Sequence, residues 1–153
     1  MNAYAELVAA THYSFLRGAS SPAEMVLQAA ALGMSALGVA DRNSVAGVVR
    51  AWSAVKAAHA QSLLPQGFQL VTGARLVFAD GTPDIVAYPR TRLGWGRLTR
   101  LLTTGNMRSK KGGCILYFDD LAAHAQDILF ILLPVSTAQE NTQQGKPVSY
   151  DHH

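Results

Sequence analysis

The clearest chemical signal in the sequence is a cluster of basic residues that contains no acidic residue. Seven arginines and lysines lie between Arg90 and Lys111, so this stretch carries +7 while the whole chain carries +3. Clustered cations of this kind are suited to binding polyanions, above all the phosphates of nucleic acids. A solvated basic surface is the alternative interpretation. The candidate nucleic-acid-binding residues are Arg97, Arg100, Arg108, Lys110 and Lys111.

Two further residues, His12 and Asp41, are candidates for metal ligation because each follows a predicted strand. The C-terminal ends of parallel strands are where α/β folds place ligands and catalytic groups. A hydrolytic metal site needs several imidazoles and carboxylates that converge, and the residues before His12 are apolar. Arg42 would repel a divalent cation beside Asp41. We therefore interpret His12 as a surface or loop-stabilising residue and Asp41 as a helix N-cap or ion-pair partner.

The composition excludes several other classes of protein. Of the 153 residues, 49% are hydrophobic and 15% charged, which is typical of a folded domain and excludes general disorder. The single cysteine, Cys114, excludes an internal disulfide and zinc sites of the CxxC type. The N-terminus lacks the pattern of a signal peptide, and the apolar stretch 128–135 is too short to cross a bilayer. We expect a cytoplasmic protein without a membrane partner.

The elements that must position these residues alternate between strands and helices. The sequence predicts strands at 4–10, 36–40, 68–78, 84–88, 115–118 and 128–133, and helices at about 20–33, 44–61, 94–104 and 119–125. This order favours an α/β fold with mostly parallel strands and helices outside, and the elements are too few to close an eight-stranded barrel. We expect one domain at 1–134, a poorly ordered tail at 135–153, and self-association through the open sheet edges.

Four separate segments of the chain are informative when they are taken together: YSFLRGAS at 13–20, AALG at 30–33, DRNSVAGVVRA at 41–51 and RLTRLL at 97–102. Together they resemble the N-terminal PHP (polymerase and histidinol phosphatase) domain of bacterial C-family DNA polymerases, in particular the error-prone, translesion-type alpha subunit. The similarity extends from about Tyr4 to Pro134. It implies an incomplete PHP-type distorted β/α barrel. In active relatives this barrel holds a metal cluster at the C-terminal ends of its strands and hydrolyses phosphoesters.

The sequence departs from the family pattern at three metal-binding motifs. The positions that align with the HxHxD-like motif are Val8, Ala10 and His12. The TDH-type strand end reads Ala40-Asp41-Arg42, and the motif with a glutamate two residues after glycine reads Gly73-Ala74-Arg75. Metal affinity is built from converging ligands, and an arginine adds repulsion. We expect no catalytic metal, no cofactor and no catalytic residue here, with His12 and Asp41 as vestigial candidates.

The resemblance therefore implies a non-catalytic PHP domain of an error-prone DNA polymerase that acts in damage-tolerant DNA synthesis. Its partners would be the palm and thumb of the polymerase, whose catalytic carboxylates lie outside this chain, and primer-template DNA bound by the basic segment. Two alternatives remain open. One is an active PHP phosphoesterase that uses Asp41, His12, Asp84 and a histidine from the tail. The other is an independent DNA-binding module that uses Arg97, Arg100 and Lys110.

Overall fold

A computed structural model describes residues 4–11 and 20–135, which form five strands and four helices. Candidate residue His12 and residues 136–153 of the predicted tail lie outside the described part of the chain. The elements in chain order are β1 (Ala5–Ala9), α1 (Pro22–Ala31), β2 (Ala36–Arg42), α2 (Val48–Ala60), β3 (Gln69–Leu76), β4 (Ile85–Pro89), α3 (Arg92–Met107), α4 (Phe118–Ala123) and β5 (Ile128–Leu132). None of these helices is long and apolar enough to cross a bilayer.

The five strands form one sheet in the order β1-β2-β3-β4-β5. β1, β2 and β3 are parallel, β4 runs antiparallel to both of its neighbours, and β5 therefore points the same way as the first three. The predicted α/β fold with mostly parallel strands is thus confirmed, since four of the five strands share one direction. Both helices between parallel strands are crossover connections of the kind that such pairing requires.

The sheet is curled, and Tyr88 provides the evidence. Tyr88 lies on β4, yet its hydroxyl donates a hydrogen bond to the carbonyl oxygen of Leu7 on β1. On a flat sheet these strands would be about 14 Å apart, three spacings of 4.7–4.9 Å, which is far beyond the reach of a tyrosine. The strands therefore curve around this side chain, which gives the sheet the shape of half a barrel.

The helices cover the convex face of this sheet in two groups. α1 and α2 pack on the half formed by β1 to β3, with Val26 and Val55 in the buried cluster. α3 and α4 pack on the half formed by β3 to β5, with Leu98 and Leu121 in a second cluster. The concave face holds a smaller cluster around Ala40, Val86 and Tyr88. Successive residues of a strand point to opposite faces of the sheet, so neighbouring positions belong to different clusters.

The beginning of α1 agrees closely with its sequence signals. Ser21 is the N-cap, its hydroxyl accepts the Glu24 backbone N–H at 3.2 Å, and the Glu24 carboxylate accepts the Ser21 N–H at 2.7 Å. This reciprocal capping box satisfies two N–H groups that have no partner inside the helix. Pro22 occupies the first turn, and Gly33 follows the helix with φ +66°.

Two predicted elements, the third helix and the strand at 115–118, differ from the structure in their bounds. α3 continues through Gly105 to Met107, because Gly105 is a packing position: a Cβ there would lie 2.6 Å from both Cys114 Sγ and Leu116 Cδ2. The strand predicted at 115–118 is reduced to one bridge between Phe78 and Leu116. Local sequence signals could not identify either contact, since both partners are distant along the chain.

Candidate functional site

Asp41 lies at the C-terminal end of β2 and is 1% exposed. Its two carboxylate oxygens accept the backbone N–H of Thr11 at 2.6 Å and the Thr11 hydroxyl at 2.7 Å. Thr11 follows β1 and is fully buried. The prediction that Asp41 caps the next helix was wrong, because α2 begins at Val48 after an N-cap glycine. Asp41 instead joins the ends of the two neighbouring strands.

Arg75 lies near the end of β3, on the concave face opposite Val86 of β4. Its guanidinium Nε donates a hydrogen bond to Asp84 Oδ2 at 2.8 Å, and Nη2 lies 2.7 Å from the same oxygen in an ion pair. The two side chains are 28% and 25% exposed, so this ion pair is partly shielded from water. Arg75 is also the cross-strand partner of Arg42. Two arginines therefore lie side by side at the ends of β2 and β3.

These strand ends do not fit the metal cluster that the fold family implies. Asp41 and Asp84, the two acids that could supply ligands, already accept hydrogen bonds from Thr11 and Arg75. Within residues 4–11 and 20–135 there is no group of three histidine, cysteine or acidic side chains that could hold a metal ion. Arg42 and Arg75 bring two cationic side chains to these strand ends, the second of them paired with Asp84. His12 does not enter this test because it lies outside the described part.

Two of the five predicted nucleic-acid-binding residues are engaged in contacts within the chain. Arg97 donates to Gln126 Oε1 at 2.9 Å and lies 3.5 Å from Asp127 Oδ2. Arg108 forms a bidentate ion pair with Asp120, with Nη2 to Oδ1 at 2.7 Å, and its guanidinium lies 4.9 Å from the ring centroid of Tyr117. The hydrogen bonds from Arg108 lower the pKa of Asp120 below its ordinary value.

The other three candidates, Arg100, Lys110 and Lys111, are exposed. Across the described part of the chain the ion pairs are those of Arg75, Arg97 and Arg108, so these three have no acidic partner there. Arg92, in the first turn of α3, is also exposed and has no acidic partner among the described residues. It belongs to the basic run but was not among the candidates. Position on the outward face of a helix is the signal that identifies it.

The outward face of α3 is basic and borders a groove. Arg92, Gly96, Arg100, Thr103 and Met107 are exposed at helical spacing, and α3 contains no acidic residue. The groove has a volume of about 250 Å³ and lies between this helix and the β2–α2 loop. Its walls are formed by loop residues 43–46 and by Thr99, Leu102, Thr103 and Asn106.

Comparisons with known proteins agree with this description. The sequence profile of the PHP domain matches residues 6–145. The chain is 52% identical to "Error-prone DNA polymerase 1" of Rhizobium meliloti over 130 residues, which are 85% of this chain and 11% of that protein. It is 45% identical to the "Error-prone DNA polymerase" of Caulobacter vibrioides over 141 residues, 92% of this chain and 12% of that protein. It thus spans about a ninth of these relatives.

A solved structure supports the fold alone. A crystal structure described as a metal-dependent phosphoesterase from Bifidobacterium adolescentis aligns with a TM-score of 0.51 and 20% sequence identity. The alignment covers 67% of this chain and 33% of the other. The two proteins therefore share a similar fold over two thirds of this chain.

Proposed function

The chain belongs to the PHP domain family, and we propose that it is a non-catalytic PHP domain of an error-prone DNA polymerase with a structural role toward the rest of that protein. Relatives near 50% identity bear that name and contain the matching region as 11–12% of their length. A domain that forms a small part of a larger protein can contribute to its structure without catalysing a reaction.

The observation that carries the proposal is the hydrogen bonding at the strand ends. A phosphoesterase needs carboxylates and imidazoles that are free to converge on cations. Here the buried Asp41 accepts two hydrogen bonds from Thr11, and the partly exposed Asp84 accepts one from Arg75 Nε within an ion pair. Releasing the Asp41 carboxylate for a metal would leave the buried Thr11 donors without partners, which costs about 1–3 kcal/mol for each group. Contacts within the protein thus engage both carboxylates.

The test is the metal content of the purified chain, measured by inductively coupled plasma mass spectrometry after dialysis without chelator. We expect far less than one bound ion per chain. We also expect the thermal unfolding midpoint to be the same with EDTA and with added Mn²⁺, because no ion stabilises the fold. One tightly bound zinc or manganese per chain, or hydrolysis of a phosphodiester substrate that EDTA abolishes, would refute the proposal and favour the phosphoesterase alternative.

A second function, contact with DNA, is favoured by the unpaired cations on and after α3. Arg100, Lys110 and Lys111 are exposed, and no acidic residue of α3 opposes them. We propose that they bind phosphates of primer-template DNA without reading its sequence. Binding measured by fluorescence anisotropy at low salt should weaken in Arg100→Gln and Lys110→Gln. Each lost contact should reduce the slope of log K against log salt by about 0.9 on duplex DNA.

Arg97→Gln is the matched control for this measurement. It removes the same charge, but Arg97 already donates to Gln126 and lies beside Asp127. We expect its effect on DNA affinity to be smaller than that of Arg100→Gln. Equal effects of all three variants would indicate that DNA affinity depends on the total charge of the protein and not on contacts with particular residues. Unchanged affinity in Arg100→Gln and Lys110→Gln would exclude a contact between these residues and DNA.

A further inference from the structure

The groove beside α3 is lined by both apolar and polar residues: Val45, Ala46 and Leu102 on the one hand, and Asn43, Ser44, Thr99, Thr103 and Asn106 on the other. Thr99, Thr103 and Asn106 lie on one stripe of the helix, since positions separated by three, four or seven residues share a side. Arg92 begins the same stripe two turns before Thr99. The stripe thus has a cation at its N-terminal end and uncharged polar groups along the groove.

Two hydrogen-bond donors in the groove are available to a ligand. The Ser44 hydroxyl accepts the Ala46 N–H at 3.1 Å, so its own proton is free to donate. The exposed Asn106 side chain has no hydrogen-bond partner within the described residues. Asn43, by contrast, is committed, because its amide group donates to and accepts from the backbone of Val77. Free hydroxyl and amide donors match the acceptor oxygens of phosphate groups.

The dimensions of the groove restrict what it can hold. At about 250 Å³ it is smaller than the roughly 300–1,000 Å³ of sites that enclose drug-sized molecules. The helix residues that line it run from Thr99 to Asn106, about 10 Å at 1.5 Å per residue. A short recess of this size suits one or two units of a chain molecule better than an enclosed small ligand.

We infer that the groove between the β2–α2 loop and α3 seats the phosphodiester backbone of a DNA strand. Ser44 and Asn106 donate to its phosphate oxygens, and Arg92 and Arg100 neutralise neighbouring phosphates. The short side chains of Thr99 and Thr103, and the absence of a side chain at exposed Gly96, allow the strand to approach the helix closely. This inference rests on the proposed DNA contact and adds the path that the strand takes. Both single-stranded and duplex DNA carry this chemistry.

The test places a carboxylate in the groove and compares it with the same charge elsewhere. Thr103→Glu changes an exposed helical residue on the groove wall, and Asn106→Asp replaces the free amide donor with an acid of the same shape. Gln28→Glu is the matched control, because Gln28 is exposed on α1, whose core residues belong to the other helix cluster. Affinity of the full chain for a single-stranded oligonucleotide and for a duplex is measured by fluorescence anisotropy, with thermal unfolding as the check on folding.

We expect Thr103→Glu and Asn106→Asp each to weaken binding by about tenfold, as close repulsion between a carboxylate and a phosphate requires. Gln28→Glu should change affinity by less than about twofold, because salt screens distant charges. The DNA form that shows this difference is the one that enters the groove. If the groove variants behave like Gln28→Glu while Arg100→Gln weakens binding, the groove path is refuted and the basic contact stands. If wild-type protein binds neither DNA at low salt, both are refuted.

Discussion

Replacement of Asp41 by asparagine should destabilise the fold whether or not a metal is present. The Asp41 carboxylate is 1% exposed and accepts two hydrogen bonds from Thr11, which is itself fully buried. Asparagine keeps one acceptor oxygen for the Thr11 N–H, and its amide group can donate to the Thr11 hydroxyl only if that hydroxyl reverses to become the acceptor, so both hydrogen bonds lose the carboxylate charge. Hydrogen bonds to charged groups contribute about 1.5–3 kcal/mol each. We expect the free energy of unfolding of Asp41→Asn to fall by that amount.

The assay is urea unfolding followed by circular dichroism, with the loss taken from the shift in midpoint at constant slope. Thr11→Val removes the hydroxyl donor and keeps the branched shape, so it tests the hydrogen bond between Thr11 and Asp41 by removing the donor instead of the acceptor. The two residues touch, so the loss in the double variant should be smaller than the sum of the single losses by about 1 kcal/mol or more. Additive losses, a change below about 0.5 kcal/mol, or a loss that EDTA abolishes would refute this reasoning.

Two further predictions concern α3 and the segment after it. Gly105→Ala should lower the free energy of unfolding by about 1–3 kcal/mol, because the added Cβ would collide with Cys114 and Leu116. Gly96→Ala should raise the free energy of unfolding by about 0.5–1 kcal/mol, because the added Cβ would have nothing within 4 Å. Both changes are measured by urea unfolding. The pKa of Asp120 is lowered chiefly by Arg108, so this ion pair stabilises the fold above the ordinary aspartate pKa of about 3.9, and the contribution is lost as the pH falls through the lower folded-state value. Asp120→Asn should therefore flatten the dependence of unfolding free energy on pH as the pH falls below about 5, and an unchanged profile would contradict the assignment.

The parts of the fold that depend on neighbouring residues could be predicted from the sequence. The capping box of α1 lies within four residues, and the order of strands and helices follows from hydrophobic periodicity. The buried face of α2 is harder to predict, because its large apolar residues Val49 and Trp52 are 72% and 55% exposed. The small residues Ala51 and Ala58 are buried beside Val55. Hydrophobicity alone therefore does not identify the face of this helix that packs on the sheet.

The candidate site was harder to predict because its decisive contacts join distant parts of the chain. Thr11 precedes Asp41 by 30 residues, and Asp127 follows Arg97 by 30. The charge of the basic segment was evident from the sequence, but the sequence alone did not distinguish paired arginines from free ones. The spacing of acids along the chain gives no measure of their distance in the fold. The division into paired Arg97 and Arg108 and unpaired Arg100 emerged only from the structure.

The close packing around Tyr88 limits how this sequence can vary. An added Cβ at Gly38 would lie 2.6 Å from the phenol oxygen and 2.7 Å from the backbone oxygen of Leu7. One at Gly73 would lie 2.8 Å from the ring carbon Cδ1 and closer still to the backbone oxygen of Ala87. Because no substitution at position 88 removes the backbone oxygens, a mutational library that randomises the three codons together should recover folded variants with glycine at both 38 and 73, whatever residue stands at 88.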